Sequence, residues 1–319
     1  MHWPARCRYA IPDEGGALPV SPPVSLPVSP RVCPEPTVPV KTASCLNDLL
    51  LSIIAVAAYA LAWGTLWHTH VRADQALVRL PPATALAGVA ALLLHALLLE
   101  RTVLSPAGLH LGLFQAISLT GWAMTLLQMG AALLRPAASL GFVVLPIAAA
   151  GAVAGAALPS GPTLPEHLGA GIEAHIATSV LSASTLGIAT CQAIALYVQE
   201  RRLRARRSPG LSRFLPPLQL QESLLVQLLA AGFFLLSLSL ATGIVFIENL
   251  FAQHLVHKTV LSIVAWLTFA TLLAGRWYLG WRGRTLTRWT LTGYGVLLLA
   301  YFGTKLVLEI VLGRSWVGP

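Results

Sequence analysis

The run His257-Lys258-Thr259-Val260-Leu261-Ser262-Ile263-Val264-Ala265-Trp266 continues, mostly apolar, to Leu279 and leaves through Gly280-Trp281-Arg282-Gly283-Arg284. A second apolar run follows and carries Ala300-Tyr301-Phe302-Gly303. A helix needs about 20 mostly apolar residues to cross the hydrocarbon core of a bilayer. Two such runs joined by an arginine-rich turn read as a transmembrane hairpin, with His257-Lys258 marking the boundary where the first begins.

Working outward, the same criterion finds eight spans, at 46–67, 81–99, 109–134, 138–158, 171–199, 224–247, 258–279 and 286–313. They fill almost everything after residue 45 and leave no room for a separate soluble domain. The 319-residue chain is 56% hydrophobic and 10% charged, with a mean hydropathy of +0.72. A soluble domain carries about 25% charged residues. Backbone groups in lipid must bond internally, so lipid-facing runs this long admit helices only. The predicted fold is all-α, a polytopic transmembrane helix bundle of about eight spans over residues 46–319.

Charge places the loops, because Lys and Arg accumulate on the cytoplasmic side. Arg201, Arg202, Arg204, Arg206, Arg207 and Arg213 lie between spans five and six, and Arg276, Arg282, Arg284 and Arg288 surround the turn between seven and eight. Arg72 and Arg79 follow span one, and Arg135 follows span three. The alternate loops hold only Arg101 and Lys258. Both termini are therefore expected outside, and the net charge of +9 reads as topology and contact with anionic membrane lipids. Nucleic acid is not an expected partner, since the arginine run sits between two membrane spans.

Ten of the 22 prolines lie in the first 45 residues, in phrases such as Ser21-Pro22-Pro23-Val24-Ser25-Leu26-Pro27. Proline removes hydrogen-bond donors and blocks helix, so residues 1–45 are expected to be a disordered tail. Cys7, Cys33 and Cys45 fall in or beside it, Cys191 falls within span five, and no Cys-x-x-Cys occurs. Thiol exchange and covalent c-type haem attachment both lack their motif. Gly151/Gly155 in span four and Gly108/Gly112 at the start of span three have the spacing that lets helices approach closely.

Six of the nine histidines fall toward the predicted outer side: His95, His110, His167, His175, His254 and His257. His175 stands out. With Thr178, Ser179, Ser182 and Thr185 it makes one polar stripe at helical spacing, a face that belongs inside a bundle. Interhelical hydrogen bonding would account for such a stripe as well as a ligand site would. Inside span eight, Lys305 stands four residues before Glu309. A charge inside a span is costly and points to function, although Lys305 can also neutralise Glu309 or extend to the interface.

The phrases quoted first, together with Glu173-Ala174-His175-Ile176 and His95-Ala96-Leu97-Leu98-Leu99-Glu100, resemble the cytochrome c assembly family, CcsA/HemX/YpjD-like proteins of the bacterial inner membrane with a haem-handling branch. The resemblance is strong from residue 171 onward, weaker over 46–160 and absent from 1–45. It implies a multi-pass inner-membrane protein whose partners are haem and cytochrome c maturation proteins. Haem-handling relatives place a histidine at the entrance matching His175, so the resemblance makes His175 the leading candidate iron ligand. His95 and His257 are the candidates for the second ligand, and Lys305 for a haem propionate. Imidazole is the usual axial ligand of haem iron.

The chain departs from the haem-presenting members in two places. Their Trp-rich, Trp-Asp-containing outer loop before span seven is here Glu248-Asn249-Leu250-Phe251-Ala252-Gln253-His254-Leu255-Val256. They also carry histidines near the inner end of span seven and after span eight, whereas here no His follows His257. The chain resembles the YpjD-like branch that lacks the Trp-rich loop. The leading expectation is non-catalytic, non-covalent haem binding or transfer at the outer face. A non-haem scaffold or regulator of the same fold is one alternative and a small-solute transporter another. An enzyme is least expected, because no nucleophile–base set or metal triad is visible.

Overall fold

A computed structural model describes residues 39–73, 80–105, 108–134, 137–158, 163–164, 169–205, 216–246 and 256–303. Every described element belongs to the compact unit Pro39–Pro319. Eight α-helices follow one another: α1 Pro39–Ala73, α2 Pro82–Val103, α3 Leu113–Leu134, α4 Gly141–Ala157, α5 Ala170–Arg204, α6 Leu218–Phe246, α7 Val256–Tyr278 and α8 Arg284–Leu298. The first seven are long and apolar enough to cross a membrane. The bundle is thus the membrane architecture that hydropathy implies. α8 has 15 residues and continues as a π-helical turn, Leu299–Gly303; the rest of the eighth predicted span, 304–313, lies outside the described residues.

Several boundaries differ from the hydropathy reading for physical reasons. α1 begins at Pro39, so residues 39–45 of the predicted tail are helical, while 1–38 lie outside the described residues. Proline is tolerated in a first helical turn, where its missing N–H has no partner anyway. α5 runs on to Arg204 and α6 starts at Leu218: charged and amide side chains end an apolar run without ending a helix. A small antiparallel ribbon decorates one end of the bundle, with β1 Leu104–Ser105, β2 Gly108–His110 and β3 Thr163–Leu164 in that order. Leu104 faces Leu109, and His110 faces Thr163. Gly108 therefore belongs to a strand, and Gly108/Gly112 is not a helix-packing pair.

α5 is the central helix. In its most apolar stretch 78% of residues are buried, against 28–50% in the other six spans. It packs on α3 at one side and on α6 and α8 at the other. Around it lie three apolar clusters. Leu186, Leu225, Leu229, Phe269 and Leu286 join α5 to α8. Met124, Val144 and Ile188 join α3, α4 and α5. Tyr59, Ala91, Leu145 and Ala148 join α1, α2 and α4.

Small residues set the closest approach, between α3 and α4. A Cβ on Gly121 would lie 3.1 Å from the Ala148 Cα, and one on Gly151 would lie 3.3 Å from the Ile117 carbonyl oxygen. The Gly151/Gly155 pair thus faces α3, as its spacing predicts. Pro146 stands inside α4 and cannot bond the carbonyl four residues back. That carbonyl, of Phe142, instead accepts the indole N–H of Trp63 from α1 at 3.2 Å.

Candidate functional site

His175 sits in the second turn of α5, half-buried against α6. Its Nδ1 lies 2.9 Å from the Ser239 carbonyl oxygen. A carbonyl only accepts, so Nδ1 carries the proton and, in the neutral ring, Nε2 carries the lone pair. A hydrogen bond of this kind fixes the tautomer and orientation of an imidazole. The ring lies against Gly243, where an added Cβ would be 3.0 Å from His175 Cε1 and 3.2 Å from Nδ1. Glycine at that position is what lets the imidazole come this close to α6.

The rest of the stripe stitches α5 to its neighbours. Ser179 Oγ meets Ser239 Oγ at 2.6 Å, and Ser182 Oγ donates to the Gly232 carbonyl at 3.2 Å. Thr178 and Thr185 return their hydroxyls to carbonyls of α5 itself. Ser184, one face round, donates to the Thr120 carbonyl of α3.

His95 has a different environment. It is fully buried, two helical turns short of the end of α2. Its Nδ1 lies 3.0 Å from the Tyr59 hydroxyl and its Nε2 lies 2.9 Å from Ser118 Oγ. Both ring nitrogens are therefore engaged, and they tie α1, α2 and α3 together. Ligating iron would require breaking one of these bonds. His95 and His175 share no partner among the described residues, so the structure does not bring these two candidates together.

His257 opens α7, with only its backbone described. Lys305, Glu309, His167, His254 and Glu248 lie outside the described residues. His110 ends β2, and its Nδ1 is buried without a hydrogen-bond partner among them. No group of three or more His, Cys, Asp or Glu is placed to hold a metal ion among the described residues. A single axial imidazole is the donor set that the described residues fit, with His175 Nε2 as the donor.

Two polar assemblies escape a reading by motif. At the arginine-rich end, Gln192 donates to the Gln221 carbonyl at 3.2 Å, and Gln221 donates to the Gln199 side chain and to the Pro216 carbonyl at 2.8 Å. All three glutamines are buried between α5 and α6. Nearby, Glu222 pairs with Arg276 at 2.9 Å and with Arg282 at 3.2 Å. Glutamine in an apolar segment is the only signal the first leaves in sequence; partners 22 to 29 residues apart leave none.

The pattern of the family described as Cytochrome C assembly protein matches residues 83–312. The match runs from α2 through α8 and so includes the segment before residue 160 where the resemblance is weaker. The Inner membrane protein YpjD of Escherichia coli strain K12 is 32% identical over 234 residues, 71% of this chain and 86% of that protein. An uncharacterized 28.8 kDa protein of Azospirillum brasilense, from a nifR3-like 5′ region, is 36% identical over 210 residues, 64% of this chain and 78% of that protein. No solved structure matches significantly. With the family pattern covering seven of the eight described helices, this multi-pass membrane protein belongs to the cytochrome c assembly protein family.

Proposed function

We propose that the protein binds or passes haem, without catalysing a reaction, at the end of the bundle where α5 begins, with His175 Nε2 as an iron ligand. The observation that carries this reading is the Nδ1–H bond to the Ser239 carbonyl, which presents the opposite nitrogen as a lone pair. Bound haem would supply the iron that takes that lone pair. The chain's own part is to hold the ring: Ser239 fixes the tautomer, and Gly243 leaves room for the ring against α6. With both nitrogens of His95 engaged, the second-ligand expectation shifts to His257, and Lys305 remains the proposed partner of a propionate.

The arginine asymmetry supports an orientation with the arginine-rich end cytoplasmic and both termini outside. Its relative's description as an inner membrane protein supports a place in the bacterial inner membrane. On this reading His175 faces the side where c-type cytochromes mature, and the partners are proteins of that maturation. A second reading, a haem-free scaffold or regulator, is favoured by one observation: Ser179 and Ser182 already use their hydroxyls in holding α6.

Visible absorbance of the purified protein, before and after adding haem, separates the two. Haem handling requires a Soret band that shifts or disappears in His175→Ala and persists in His110→Ala. A folded protein that takes up no haem refutes the proposal and leaves the scaffold.

A further inference from the structure

We infer that the arginine-lined cleft at one membrane boundary is a binding site for the headgroup of an anionic phospholipid. The cleft, about 550 Å³, lies between the last turns of α5, the first turn of α6 and the start of α8. One part of its wall is apolar, from Leu196, Leu203 and Leu218. The other part is cationic, from Arg204, Arg282 and Arg284. Leu203 is 54% exposed in the last turn of α5, so the apolar wall is open at its outer edge.

The acidic groups facing the cleft do not use up its cations. Glu200 holds Arg204 at 2.6 Å, and Glu222 holds Arg276 and Arg282. Arg282 meets Glu222 through Nε at 3.2 Å, and its side chain is 72% exposed. Arg284 has no acidic partner among the described residues. α8 begins at Arg284 itself with no side-chain cap, and Gly283, Arg284 and Thr285 all line the cleft. Guanidinium forks and a free helix N-terminus are both good phosphate partners. Glu200 opposes an anion there: a Cβ on Gly283 would be 3.3 Å from its Oε2. Three arginines against two glutamates nevertheless leave the cleft cationic.

A free phosphate would use the guanidinium groups and leave the leucine wall idle. A phospholipid uses both, and basic pockets between transmembrane helices are known to take anionic headgroups.

Native mass spectrometry of the full-length protein in mild detergent tests this, with phosphatidylglycerol, zwitterionic phosphatidylethanolamine or inorganic phosphate added in turn. One phosphatidylglycerol should be retained in preference to the other two. Arg284→Gln should weaken that retention by about fivefold, the equivalent of about 1 kcal/mol per arginine near an anionic surface. Arg101→Gln, at the other end of the bundle, should not. Arg284 makes no ion pair among the described residues, so its loss should leave the fold intact even if Arg282→Gln fails to express. Equal retention of the two lipids, retention unchanged in Arg284→Gln, or Arg284-dependent binding of phosphate alone would each overturn the inference.

Discussion

Replacing His95 with alanine should loosen the α1–α2–α3 half of the bundle. The ring is fully buried and bonded at both nitrogens, to Tyr59 at 3.0 Å and to Ser118 at 2.9 Å. Interhelical hydrogen bonds in membranes average about 0.6 kcal/mol each, so the two bonds account for about 1.2 kcal/mol. Truncating a large buried side chain to alanine costs about 2–5 kcal/mol altogether. The remainder is the cavity, which α1 and α3 cannot close because their helices are already packed on α4. Tyr59→Phe removes one bond and should cost about 0.6 kcal/mol. In the double variant that cost should shrink, since the hydroxyl has already lost His95 and keeps only Thr125. Reversible unfolding in mixed detergent micelles, followed by far-ultraviolet circular dichroism, measures all three. If His95→Ala is as stable as the parent, or loses haem with no loss of stability, the assignment of His95 to the core is wrong.

Two further outcomes follow from the site and the loops. Gly243→Ala should separate stability from ligation: the helix gains about 1 kcal/mol of propensity, while the new Cβ presses on the His175 ring at 3.0 Å and displaces it. Haem uptake should fall in a protein at least as stable as before, and an unchanged Soret titration contradicts the role given to Gly243. A periplasm-active phosphatase fused after Pro319 should be active, whereas a green fluorescent protein there should be dark; fluorescence would reverse the proposed orientation.

The spans were legible because hydropathy depends on local composition, and α2, α3, α4 and α7 follow it within a few residues. Helix ends were less so. Leu218-Gln219-Leu220-Gln221-Glu222 reads as polar, yet Gln221 is buried because Gln192 and Gln199 supply its bonds. Strands of two or three residues, such as β1 and β3, carry too little pattern to be seen. At the site, the stripe through His175, Ser179 and Ser182 correctly marked a buried face, but not that Ser239 and Gly243 of α6 would fix the ring. His95 looked like a member of an outer histidine group. Its partners Tyr59 and Ser118 stand 36 and 23 residues away, so its place in the core depends on which helices meet.

The bonds between α5 and α6 are spread along both helices: His175 to Ser239, Ser182 to Gly232 and Gln192 to Gln221. Each of these groups would be unsatisfied if its helix entered lipid alone, at a cost of several kcal/mol for a polar group in hydrocarbon. During biogenesis α5 is therefore best released from the translocon together with α6, as a preassembled pair. A ribosome that stalls inside α6 would leave α5 holding a row of orphaned hydroxyl, imidazole and amide groups, the kind of segment that membrane quality-control proteases recognise.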